Sequence, residues 1–328
     1  PAPESFAPAL LPAPLEPGGR LILDCPLDPE WRRNVERQVL RVWHSWWGTP
    51  RGLADVLMAP EGNGGRPAPA QPAAGVGLCF TLGVDYFHDL LRSDRRIDDA
   101  VFAWGYDIKL GDQARMAATE ASWRDVLRGV GVRGVIIRTN LREHPAYGVA
   151  NWERTHGGAL AALGYVASGD IGELLISGGM SYRHSPPWGS HWKTDAGWSS
   201  ARLRCTHVGA DHWRREKVEA LRDEPLARRH LRVCWENRKA TLNCGECDKC
   251  LRTMLVLAEH GCLDDFPAFP RGQPLDVLLD RVWPVGSHLI PVYRAAMKRQ
   301  RDPRIRAAIG RLLERSSPGS SRSAAWRF

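Results

Sequence analysis

Through the middle of the chain, short apolar runs alternate with longer amphipathic stretches. VGLCF (76–80), DDAVFAW (98–104), GVIIRT (134–139) and GELLIS (172–177) have the length and near-continuous hydrophobicity of strands buried on both faces. Between them, DYFHDLLRS, DQARMAATEASWRDVLRGV and the stretch from Trp152 to Tyr165 place apolar residues at helical spacing. Parallel neighbours need a crossover, so this alternation predicts a parallel sheet with helices on both faces. The expected fold class is a doubly wound, Rossmann-like α/β domain.

The flanks read differently. LILDCPL (21–27) looks like a strand, and PEWRRNVERQVLRVWHSWWG has helical spacing with Gly48 as its stop, which makes a small N-terminal strand-helix unit over 1–58. Residues 59–75 are rich in Pro, Gly and Ala without apolar periodicity and read as a linker or surface loop. The α/β domain is expected over 76–222, a cysteine-bearing lobe over 223–270, and a helical segment with a flexible SSPGSSRS tail over 271–328. Trp43, Trp46 and Trp47 on the N-terminal helix fit core packing better than an exposed partner face.

Composition narrows the class. The chain has 328 residues, 43% hydrophobic and 25% charged, enough for one large core or two modest ones. No stretch approaches the roughly 18 uninterrupted apolar residues of a membrane span, and PAPESFAPALLPAPLEPGG lacks the pattern of a secretory signal. The expectation is a cytoplasmic protein with reduced thiols, so a cluster among its eight cysteines points to metal or catalysis before disulfides. The net charge of +8 suits a polyanionic partner, but arginines scattered along helices and a basic tail usually mark a solvated face. Nucleic acid is therefore the weaker partner reading.

Two stretches carry candidate chemistry. In GLCFTLGVDYFHD an apolar run ends in a turn with Thr81 and Gly83, and Asp85 follows where a helix begins. Beyond the carboxyl end of a parallel strand this is either a phosphate cradle or only a tight strand-to-helix turn. CWENRKATLNCGECDKC places Cys234, Cys244, Cys247 and Cys250 in a C-x9-C-x2-C-x2-C pattern. Four thiolates in one short stretch suit a closed tetrahedral Zn²⁺ site; an iron–sulfur cluster or unliganded thiols are the alternatives. Cys25, Cys79, Cys205 and Cys262 stand alone and read as small buried residues.

The first stretch resembles the S-G-G-x-D-S loop of the PP-loop ATP pyrophosphatases. Thr81 stands for the first Ser, Gly83 for the second Gly and Asp85 for the Asp, whereas Leu82 replaces the first Gly and Tyr86 the last Ser. The cysteine block is similar to that of the 7-cyano-7-deazaguanine synthases, and the two motifs occur in that family's order, over roughly residues 75–262. The resemblance implies a PP-loop fold, ATP with Mg²⁺ and a structural zinc. It also implies a reaction in which a small carboxylate or base-like substrate is adenylated and then meets an amine donor. It places nucleotide contacts at Thr81, Gly83, Asp85 and Asp107, a returning basic residue at Arg214 or Lys217 in GADHWRREKVEAL, and a substrate-side acid at Asp195.

Other residues fall at strand ends: Lys109 after the second, Asn140 and Arg142 after the third, and Thr155-His156-Gly157-Gly158 at a helix start. Ser177-Gly178-Gly179 lacks a following Asp-Ser and reads as a lining loop, and lone histidines such as His184 and His191 as surface or satisfied core. Three functions fit: an adenylating ligase, a binding protein with a decayed loop, and a tRNA-modifying relative, the last weakened by the lack of a basic-aromatic domain. Homo-oligomers are compatible with all of this.

Overall fold

The computed structural model describes residues 5–15, 21–22, 27–49 and 72–317. The described chain divides into two compact units. One takes the residues up to Thr81 together with Asp85–Gly111 and Leu127–Arg214; the other takes Leu82–Val84, Asp112–Val126 and the residues from Arg215 onward. Most of the expected linker, residues 23–26 of the expected N-terminal strand, Cys25 and the tail beyond 317 lie outside the described residues; residues 21, 22 and 27 are not in a strand.

The first unit is built on a five-stranded, all-parallel sheet. Its strands are β1 (Gly75–Cys79), β2 (Asp99–Trp104), β3 (Arg133–Arg138), β4 (Ile171–Ser177) and β5 (Arg204–Val208), in the order β3-β2-β1-β4-β5. Four strands fall within a residue of their expected places. The fifth, RCTHV, was not anticipated: flanking Arg204 and a central Thr-His pair break the apolar run that marks the others. Helices α1 (Val84–Arg92), α2 (Gln113–Val130) and α3 (Trp152–Val166) join β1 to β2, β2 to β3 and β3 to β4.

Alternate residues point to opposite faces of the sheet. Cys79, Val101, Ala103, Leu174, Ile176 and Cys205 join one buried cluster with Ala161 and Leu163 of α3 and with the N-terminal helices. Leu78, Phe80, Ala100, Phe102 and Leu175 are buried on the other face, where Phe87 of α1 meets Phe80 edge-on with ring centroids 5.2 Å apart.

The N-terminal helix comprises Pro29–Asn34, a π-helical segment Val35–Leu40, and Arg41–Trp47. Asp28 caps its start by accepting from the amides of Glu30 and Trp31, and Gly48 ends it in the left-handed conformation. Wider π-turns were not anticipated from the regular spacing. They go with a helix that buries Trp31, Val35, Val39, Leu40 and Trp43 in the sheet cluster. The indole of Trp43 lies 5.7 Å from that of Trp198, and the Asn34 side chain donates to the Ser199 carbonyl at 3.0 Å. Trp46 and Trp47 pack against the same cluster, so the three tryptophans belong to core packing.

The second unit is helical: α4 (Arg214–Leu221), α5 (Asp248–Glu259), α6 (Leu275–Arg281), α7 (Ile290–Arg299) and α8 (Pro303–Arg315), with α4 starting on the last residue of the first unit. Among the described residues, no helix is long and apolar enough to cross a membrane.

One glycine sets the edge where β2 and β3 end. Gly105 has φ 119°, and a Cβ there would lie 1.8 Å from the Thr139 carbonyl oxygen. Gly105→Ala is expected to destabilise the protein by about 2–4 kcal/mol, because both the backbone angle and the clash with main chain must be relieved. The urea midpoint of unfolding checks this; a change under about 0.5 kcal/mol would show that the turn rearranges freely.

Candidate functional site

In the order 3-2-1-4-5 the topological switch point falls between β1 and β4, and sheets of this kind bind ligands beyond the carboxyl ends of the strands at that point. Residues 80–85 leave β1 at that point, and Ser177-Gly178-Gly179 leaves β4. Leu78 pairs with Leu175, so two residues on Phe80 stands level with Ser177.

Within the β1 loop the backbone takes a left-handed turn at Leu82, φ 65°. A leucine there costs about 1–2 kcal/mol relative to glycine. The turn is held by burial of the Leu82 side chain and by the Arg232 amide, which donates to the Leu82 carbonyl at 2.9 Å. Leucine thus holds a left-handed turn that glycine would adopt without that cost.

Helix α1 starts at Val84, one residue before the expected start, and Asp85 lies in its first turn. The Asp85 carboxylate accepts from the Arg214 guanidinium at 2.6 Å across 129 residues, with both side chains mostly buried. Two residues proposed from separate motifs therefore meet at this edge. Lys217, one turn along α4 from Arg214, is fully buried.

Tyr86 packs against the sheet cluster, and its phenol is held well above the usual tyrosine range by burial first, then by the charges of Cys79, Asp107, Asp85 and Asp195. A proton donor surrounded by acids stands where the resembling loop carries serine. Asp107 is exposed beyond β2. Beside it, Tyr106, Leu110, Ile137, Thr139, Asn140 and Leu141 help line a hollow of about 600 Å³ at the ends of β2 and β3.

Asp195 differs from its neighbours in the proposed site. It is fully buried, and its carboxylate accepts from Ser190 Oγ at 2.8 Å, the His191 amide at 3.0 Å and His207 Nδ1 at 2.7 Å. Three donors of its own chain thus fill its oxygens and hold a loop together, an arrangement that suits a positioning residue better than a ligand-facing acid. His191 is likewise satisfied, pairing with Ser185 Oγ at 2.6 Å and accepting from the Lys193 amide, and burial lowers its pKa. Burial, helped by the Asp195 charge, pushes the Cys79 thiol up to about 12, which leaves it protonated and unreactive near neutrality.

In the second unit, Cys234, Cys244, Cys247 and Cys250 are all buried, with their four sulfurs within 4.8 Å of one another. Bonds of about 2.3 Å to a tetrahedral zinc imply sulfur–sulfur edges near roughly 3.8 Å. The Cys244–Cys250 and Cys234–Cys247 separations are both 3.9 Å. Amides of Asn237, Glu246 and Cys247 donate to sulfur at 3.2–3.4 Å, the bonds that support thiolate charge. Thiol hydrogen bonds from its three neighbours hold Cys234 below the usual thiol range and push Cys250 above it, so each further ionisation works against existing negative charge. A dication relieves that repulsion, and the cluster could hold a metal ion such as zinc.

Sequence reasoning missed the residues that shape this cage. Asn243 Oδ1 accepts from the amides of Val233 and Cys234, and its Nδ2 donates to the carbonyls of Leu231 and Ala268, so a single buried amide ties the first cysteine to the last three. Arg115 of α2 donates to the carbonyls of Asn237, Lys239 and Thr241, closing the intervening loop. Asn243 directly precedes the Cys-Gly-Glu-Cys run and so carried a local signal; Arg115 carried none.

Zinc analysis of the purified protein is expected to give one ion per chain. Cys250→Ser is expected to lose it together with the cooperative thermal transition, and Asn243→Leu, with all four ligands intact, to weaken zinc retention against a chelator by about tenfold or more. Metal-free wild-type protein with an unchanged melting profile would show that the thiols are structural on their own.

The chain matches no family model, no curated protein and no solved structure.

Proposed function

We propose that the chain is an ATP-dependent adenylating ligase of PP-loop type, similar to the 7-cyano-7-deazaguanine synthases. The observation that carries this reading is the contact between Asp85 and Arg214 at the carboxyl edge of β1, where an all-parallel sheet gathers its ligands. The left-handed turn at Leu82 supports it, since a strained backbone shape is retained without the glycine that would favour it.

In this reading the backbone amides after Thr81 and at the start of α1 would hold the phosphates, and Asp85 would hold the Mg²⁺ that accompanies ATP. The metal supplies charge neutralisation at the phosphates. Arg214 is the cation beside Asp85, and the hollow beside Tyr106 and Asn140 accepts an apolar ring. A carboxylate oxygen of the substrate attacks the α-phosphorus as the bond to pyrophosphate breaks. The amine then attacks the acyl carbon, the bond to AMP breaks, and the nitrogen gives up a proton to solvent. A zinc closed by four thiolates has no open position and serves the fold of the second unit. The substrate is a small carboxylate or a base-like acid.

A second reading, a nucleotide- or partner-binding protein without turnover, is favoured by two features. Asp85 is already neutralised by Arg214, and a buried phenol replaces the expected serine hydroxyl.

Isothermal titration of the zinc-loaded protein with a non-hydrolysable ATP analogue and Mg²⁺ separates the possibilities. Binding that falls at least tenfold in Asp85→Ala supports the loop assignment; equal binding in that variant refutes it. No binding at millimolar ligand removes ATP from both readings and leaves a partner-binding protein. Where binding is found, pyrophosphate release with ammonium and a panel of small carboxylates distinguishes ligase from binding protein.

A further inference from the structure

The chain carries 45 Lys and Arg against 37 Asp and Glu, and the excess is not spread evenly. Residues 290–328 hold ten basic residues (Arg294, Lys298, Arg299, Arg301, Arg304, Arg306, Arg311, Arg315, Arg322 and Arg327) and two acids (Asp302 and Glu314). That leaves 35 basic and 35 acidic residues in the preceding 289 positions. The entire net charge of +8 belongs to the last 39 residues.

The described part of this segment is a pair of helices, α7 and α8, joined by Gln300, Arg301 and Asp302. Its inner side is committed. Tyr293 is buried and donates to Asp248, Gln300 is buried and donates to the Leu255 carbonyl at 2.8 Å, and Ala308, Ile309 and Leu312 of α8 are buried. Arg311 and Arg315 pair with Asp280, and Arg306 donates to the Gln300 carbonyl. Arg294, Lys298, Arg299, Arg301 and Arg304 remain, all exposed and with no side-chain partner among the described residues.

Five exposed cations without an acidic side-chain partner on a short pair of helices suit a polyanionic phosphate backbone. A bilayer is the poorer match, because the apolar face of α8 is already used inside the protein and has nothing to give to acyl chains. Trp283, 70% exposed, lies two residues before Val285, whose amide is tied to Ser316 Oγ at the end of α8. Arg301 and Arg304 lie at the opposite end of α8, about 18 Å away by helical rise, and an exposed indole at the far end of a cationic hairpin suits a base of a single strand laid along it.

We propose that α7 and α8, with Trp283 at their foot, form a binding surface for single-stranded nucleic acid. The surface is independent of the ligase reading, and nucleic acid binds it through backbone charge and base stacking without sequence selection.

Fluorescence anisotropy of the full chain with labelled single-stranded RNA, single-stranded DNA and duplex DNA, each about 20 nucleotides long, over a salt series, tests this. The expected log–log salt slope for five single-strand contacts is about −3.5, from roughly −0.7 per phosphate. Reversal of four cations (Arg294→Glu, Lys298→Glu, Arg301→Glu, Arg304→Glu) is expected to weaken binding at least tenfold and flatten the slope. The same positions changed to Gln give a gentler set, and circular dichroism confirms that each variant is folded. Reversal of Arg33, Arg37 and Arg41, exposed on the N-terminal helix, is expected to change affinity less than threefold. Trp283→Ala is expected to weaken single strands several-fold and duplex little. Comparable affinity for both single strands identifies the shared backbone as the ligand, and a preference for RNA or for DNA names the partner. The proposal is overturned by no binding at low salt, by equal losses in the N-terminal and hairpin variants, by an unchanged affinity in Trp283→Ala, or by binding to phosphatidylserine vesicles without binding to nucleic acid.

Discussion

The parallel pairing of β1 with β4 is the constraint on which the first unit depends. Parallel strands cannot be joined by a tight turn, so each must be followed by a crossover, and every β-to-α loop emerges at the same edge. The order reverses between these two strands, which makes their carboxyl ends the place where sheets of this kind bind ligands. Asp85 and Arg214 meet at that edge as a result of the topology, since a separation of 129 residues in sequence is cancelled by two strands of the same sheet. The helix that carries Asp85 is in turn seated on the sheet by Phe80 and Phe87.

The cysteine cluster obeys a different logic. Its ligands come from a stretch with little regular structure before α5, so no sheet or long helix sets the positions of Cys234 and Cys244. Polar side chains do that work: the Asn243 amide uses both of its ends on main chain, and Arg115 spans three carbonyls. A buried amide with all its hydrogen bonds made is rigid, and removing it would leave several main-chain groups unpaired at once. The cage is therefore built from hydrogen bonds to the backbone as much as from sulfur.

The legible features were those with a strong local signal. Four strands were readable because each is a near-continuous apolar run bounded by turn residues, and the four cysteines because their spacing is unusual in an otherwise ordinary sequence. β5 was hidden because its exposed and half-buried positions carry Arg204, Thr206 and His207, of which Thr206 and His207 serve Glu173 and Asp195 instead of the core. The same long-range effect changes the picture of Asp195: nothing in SHWKTDAGW says that its oxygens are filled by Ser190, His191 and His207. The concentration of charge in the last 39 residues, by contrast, is visible in sequence, but only the packing of α7 and α8 separates the cations that are paired from those that face solvent.

The indoles of Trp43, Trp46, Trp47 and Trp198 form a chain of ring contacts, with centroids 5.4–5.9 Å apart at each step. Transition dipoles this close couple strongly, and excitation passes among them faster than it is emitted. The group also straddles the joint between the N-terminal helix and the turn at Trp198. The seating of that helix is thereby written into the near-ultraviolet optical activity of the protein, which carries its own spectroscopic label at the point where two distant parts of the chain are held together.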